Sequence, residues 1–137
     1  MNLAHALQRV VQPEGWKPAS GYANGLVTSG RMLFVAGQIG WTGDQVFQTD
    51  DFVGQTRQAL ANIVTVVEAA GGRVEHIARL TWFITDKAAY TQNLREIGAA
   101  YRDVMGRHFP TMSVVEVKAL IEDAAKVEIE ATAVLPD

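Results

Sequence analysis

The sequence predicts an α+β fold in which two helices pack on one face of a mostly antiparallel sheet. Three observations carry this. Apolar residues recur at helical spacing in two stretches, one from about Asp51 to Gly71 and one from Tyr90 to Val104. Runs rich in β-branched and aromatic residues stand before, between and after them. In the last run, KVEIEATAV, Val127, Ile129, Ala131 and Ala133 alternate with Lys126, Glu128, Glu130 and Thr132. One face of that strand docks on helices, and the other is wet or meets another subunit.

The elements follow in order. GWKPASGYANG, Gly15 to Gly25, is dense in glycine, proline and serine and reads as loop. LVTSGRMLFVAG breaks into two apolar runs about TSG, the pattern of a hairpin turning near Ser29 and Gly30. A glycine-marked loop, Gly37 to Gly43, leads to the first helix, where Phe52, Ala59, Leu60, Ile63, Val66, Val67 and Ala70 form the stripe and Gly71 and Gly72 the stop. HIARLTWFIT is a strand ending at Thr85, and the TD that closes it offers a helix N-cap. Tyr90, Leu94, Ile97, Tyr101 and Val104 then step by four, three, four and three until Gly106, a stripe that faces the sheet. Pro110 opens a strand over Thr111 to Val117, and Lys126 to Val134 is the last.

Length and composition bound the rest. A chain of 137 residues is expected to be a single domain, 1–137. With 48% hydrophobic and 20% charged residues and a mean hydropathy of +0.04, it is neither disordered nor membrane-spanning. MNLAHALQRVV lacks the pattern of a secretory signal, so the expected compartment is cytoplasmic. The absence of cysteine closes thiol chemistry. A net charge of −3, with 12 basic residues scattered singly, gives no stripe for a phosphate backbone, so nucleic acid is not an expected partner.

Candidates for chemistry are few. His5, His76 and His108 lie far apart without ligand spacing, so no metal site is expected. Gly37, before Gln38, is either a bulge or hairpin glycine or a position exposing a backbone N–H as an oxyanion donor. Glu128 and Glu130 share a strand face, either simply solvated or, beside a cleft, able to position a water. Tyr22 in SGYANG either packs its ring locally or covers such a cleft. In HFPTMSVVEV, Met112 is a flexible thioether at the mouth of a strand, where a polar anchor would stand if the edge bordered a binding site.

The stretches GYANG, LFVAGQIG, QTRQALANIVTVVEAAGG, AAYRDVMGRHFPTMSVVEV and VEIEATAV together resemble the Rid family of reactive-intermediate deaminases, over nearly the whole chain. The resemblance implies a chorismate-mutase-like sandwich with a mixed six-stranded sheet, in a homotrimer built around a central β-barrel with ligand clefts between subunits. It implies a cofactor-free hydrolysis of an imine or enamine such as 2-aminoacrylate to a 2-oxo acid and ammonia. By the same resemblance Tyr22 is the loop tyrosine, Glu128 the water-positioning glutamate, and Gly37 and Gln38 the GQ after the second strand. Met112 stands where the family carries the arginine that clamps the substrate carboxylate. Ala36 replaces a serine and Gly98 an asparagine. A thioether offers neither charge nor donor, so the expected ligand is less charged and more apolar, unless Arg107 or an arginine of a neighbouring subunit substitutes. Two functions follow: a divergent imine or enamine hydrolase that relies on Glu128, or a catalytically silent trimer that binds or senses a small molecule in the same cleft. Ribonuclease activity, reported for some relatives, conflicts with the charge.

Overall fold

The computed structural model describes residues 8–137; His5 lies outside them. Two short strands, β1 (Arg9–Val11) and β2 (Gly25–Val27), pair antiparallel. After them come β3 (Arg31–Ile39), helix α1 (Phe52–Ala69), a 3-10 turn at Val74–His76 and β4 (Ile77–Ile84). Helices α2 (Lys87–Thr91) and α3 (Leu94–Met105) then lead to β5 (Thr111–Glu116) and β6 (Val127–Leu135). The main sheet has the order β3-β6-β4-β5, antiparallel except for the β4–β5 pair. A mixed α+β architecture is thus present.

Four details differ from expectation. Six strands form, but as a two-stranded and a four-stranded sheet. The expected hairpin is absent because β2 pairs with β1 and β3 pairs with β6. Gly30, at φ 147°, backs so closely onto the Leu135 carbonyl that no Cβ fits there. The TSG segment therefore packs against the end of β6 and delivers the chain onto it. The second helix is also divided at Gln92 and Asn93, where the Asn93 amide donates to the Ala89 carbonyl at 2.8 Å. A side chain competing for a backbone carbonyl breaks the run without disturbing its apolar stripe. Leu94, just past the break, is exposed where that stripe was expected to face the sheet.

Local signals place the helices. Asp51 is extended and its carboxylate accepts from Gly54 N at 2.8 Å, capping α1, and Asp86 caps α2 through Ala88 N at 2.9 Å. Gly71, at φ 86°, closes α1 as Gly72 N donates to the Val67 carbonyl. Leu60, Ile63 and Val67 of α1 are fully buried against Ile77 and Leu80 of β4 and Val127 and Ile129 of β6. The alternation read in β6 holds, since Val127, Ile129, Ala131 and Ala133 are buried while Glu130 is exposed. On the opposite face of the sheet Phe34 and Met32 are 73% and 60% exposed. Among the described residues no helix is long and apolar enough to cross a membrane.

Candidate functional site

A concavity of about 640 Å³ opens between α3, the β5 edge of the sheet and the Ser20–Tyr22 loop. Met112 is the second residue of β5 and pairs with Leu80, a core residue, so it points to the helix side of the sheet. Among the described residues no strand lies beyond β5, and that side is open at its edge. Ala23 N donates to the Pro110 carbonyl at 3.0 Å, tying the Tyr22 loop to the start of β5. Tyr22 and Met112, 90 positions apart, thereby line one cavity.

Aromatic rings make much of its wall. Tyr101 stacks on Phe109 with centroids 5.3 Å apart, and Trp82 meets Tyr90 edge-on at 6.1 Å. The Tyr101 hydroxyl donates to the His108 carbonyl at 2.6 Å. Burial raises the pKa of both Tyr90 and Tyr101, Tyr101 most strongly, because the phenolate would lose its hydration. His108 Nε2 lies 2.6 Å from the Ile77 carbonyl, so that nitrogen carries a proton and the ring pins the corner before β5. His76 Nδ1 accepts from Arg73 N at 2.9 Å in the 3-10 turn. Both histidines thus make local structural contacts, and among the described residues no group of three or more His, Asp or Glu could hold a metal ion.

Removing the Tyr101 hydroxyl tests this wall. Tyr101→Phe is expected to cost about 1–2 kcal/mol through the bond lost to His108. The wild type should also lose stability as pH rises above about 10, where the unfolded tyrosine ionises and the folded one, its pKa raised, does not. The variant should lose less over the same range. Urea midpoints at pH 8 and pH 10.5 measure both effects, and equal alkaline losses would contradict this role.

The remaining predicted residues lie elsewhere. Between Val35 and Gln38 the β3–β6 register shifts, so Ala36 and Gly37 together oppose one residue of β6. The Gln38 amide donates to the Ala36 carbonyl at 3.1 Å across this bulge. Glu128 pairs with Ile39 and Phe83 on the outer face, and its carboxylate lies against Gly37. A Cβ at Gly37 would sit 2.7 Å from Glu128 Cδ and 3.0 Å from Oε2. A side chain at position 37 would push the carboxylate aside, so the bare bulge glycine gives it room. Glu128 also borders a recess of about 230 Å³ with Phe83, Leu120 and Ile121. Gln38 borders a third recess, of about 260 Å³, beside Trp41 and Asn62. One chain therefore brings together Tyr22 with Met112 and, on the opposite sheet face, Gly37 with Glu128, while Gln38 joins neither pair.

The sequence reading missed Trp82, Tyr101, Phe109 and Arg102 as cavity residues, and Arg107 does not line the cavity. One signal was available. Gly98 and Arg102 stand four apart on the helix whose Ile97 and Tyr101 mark the buried face, so they share its border.

Comparison with known proteins agrees with this architecture. Residues 13–135 match the family described as endoribonuclease L-PSP. The 2-iminobutanoate/2-iminopropanoate deaminase of Salmonella typhimurium is 36% identical over 111 residues, 79% of this chain and 83% of that protein. A Rid-family protein of unknown function from Yersinia pestis superposes with a TM-score of 0.84 at 30% identity, covering 94% of this chain and 99% of that one. Escherichia coli TdcF, solved with bound serine, gives a TM-score of 0.65 at 34% identity over 92% of this chain and 98% of its own. From its match over residues 13–135 and these relatives, the chain belongs to the endoribonuclease L-PSP family, which includes the Rid deaminases.

Proposed function

We propose that this protein hydrolyses an imine or enamine intermediate and releases ammonia, in a cleft completed between neighbouring copies of a homotrimer. The observation that carries the reading is the Glu128 carboxylate seated on Gly37 at the β3 bulge. There it can hold a water and take its proton as the oxygen attacks the C=N carbon. The carbinolamine so formed expels ammonia and leaves a carbonyl, so imine plus water gives carbonyl plus ammonia with no cofactor. The deaminase relatives, and the serine bound to Escherichia coli TdcF, support a small ligand related to amino acids. The Tyr22–Met112 cavity of one copy would hold the body of the ligand, and Gly37 and Glu128 of the next would supply the water.

The unpartnered apolar residues Phe34 and Met32 on the outer sheet face support association. Phe34→Glu is accordingly expected to convert a trimer into monomers in sedimentation velocity with little change in the monomer's fold. A wild-type chain that sediments as a monomer at micromolar concentration would remove the shared cleft.

The binding or sensing alternative is favoured by Met112, Ala36 and Gly98, which take away polar groups the resemblance would supply. Turnover separates the two. The test is ammonia release from imines freshly generated by amino-acid oxidases, with apolar and amine-derived members in the panel. Rates above the buffer control establish the hydrolase; rates equal to it for every imine leave the binding reading.

A further inference from the structure

We propose that Arg102 is the anion anchor of the large cavity, and that the ligand is a carboxylate with an aromatic or bulky apolar body. This rests on that cavity being the ligand site. Arg102 is on α3, one turn after Gly98, and both line the cavity. A Cβ at Gly98 would lie 3.2 Å from Arg102 Nη1, with Cζ and Nη2 at 3.9 Å. The guanidinium therefore lies back across the bare glycine, on the border of the cavity.

A cation in the last turn of a helix is favoured by the helix dipole alone. Like other long helical side chains it leans back over the preceding turn, and at Gly98 that turn is bare. Arg102 makes no salt bridge among the described residues, whereas Arg57 pairs with Asp103 and Arg73 with Glu75. Its planar donors suit a carboxylate held by two parallel hydrogen bonds. Around it stand Tyr90, Tyr101, Phe109 and Met112, surfaces for a ring or a branched chain. Trp82, in the same wall, has a buried indole Nε1 without a hydrogen-bond partner among the described residues. One cation beside apolar rings describes a site for a single carboxylate, and the volume of about 640 Å³ admits an aromatic amino-acid skeleton.

Met112 offers no charge to a ligand, and Arg102 supplies one from the helix side of the cavity, which favours carboxylates with long, apolar bodies.

The test is titration calorimetry of the full chain with phenylpyruvate and with phenylacetone, which lacks the carboxylate. The wild type should bind phenylpyruvate about 10-fold or more tightly than phenylacetone, with the difference shrinking as salt rises. Arg102→Met should abolish that preference and leave phenylacetone affinity unchanged. Gly98→Ala crowds the guanidinium and should weaken phenylpyruvate binding while raising the melting temperature, because alanine favours the helix. Binding of neither compound, equal affinity for the two, or a preference that survives in Arg102→Met would each overturn the proposal. Carboxylate preference without ammonia release would refute the hydrolase and leave Arg102 in its role.

Discussion

Glu128→Gln is expected to lower imine hydrolysis by about 100-fold or more, the low end of what a positioned general base contributes. Glutamine has the same length and shape, so it keeps the contact with Gly37 and removes the ability to take a proton from water. The melting temperature should stay close to that of the wild type, which separates lost chemistry from lost structure. Ammonia release measured on the same imine panel decides it. A variant that turns over at the wild-type rate would remove Glu128 from the reaction and leave its carboxylate as an outer-face polar group.

The largest loss of stability is expected at Gln55. This side chain is fully buried, and it makes three hydrogen bonds to the backbone of Thr49, Ala124 and Lys126. Its amide donates to the carbonyls of Ala124 at 2.9 Å and Thr49 at 3.2 Å, and its oxygen accepts from Lys126 N at 2.8 Å. Gln55→Leu fills the same volume and leaves all three backbone groups without partners. Ala124 and Lys126 are exposed residues and the bonds part-buried, so at about 1 kcal/mol for each bond a loss of about 3 kcal/mol is expected. That is a large part of the 5–15 kcal/mol typical of a whole domain. Thermal unfolding should show it as a fall of about 10 °C or more; a fall under about 2 °C would mean that water replaces the amide.

Gln55 also bears on the site. Lys126 immediately precedes β6, two residues before Glu128, and Gly40, just after β3, packs directly on Gln55. The two strands that carry Gly37 and Glu128 are thereby fixed to α1 at one point. A loosened Gln55 would move carboxylate and bulge relative to each other, so activity in Gln55→Leu should fall even below its melting transition.

The elements that were legible are those whose signal is local. The α1 stripe, its Asp51 start and its Gly71 stop lie within one stretch of chain, and so does the alternation of β6. The Asp86 cap was readable for the same reason. The division of the second helix was not, because the Asn93 amide competes for a carbonyl without altering the apolar period. The β2–β3 hairpin was misread because TSG has turn composition, while the partner of each strand lies far away in sequence.

The sequence by itself determined α1, the strands other than β1, the inward face of β6 and, through its family resemblance, a glutamate and a tyrosine worth testing. Only the tertiary structure decided that Tyr22 and Met112 share a cavity, that Glu128 rests on Gly37 across the sheet, and that Arg102 borders that cavity. The physical reason is one of range. Periodicity and capping depend on neighbours within a turn or two of chain, whereas the cavity depends on β5 lying parallel to β4 at an open edge and on the Ala23–Pro110 hydrogen bond.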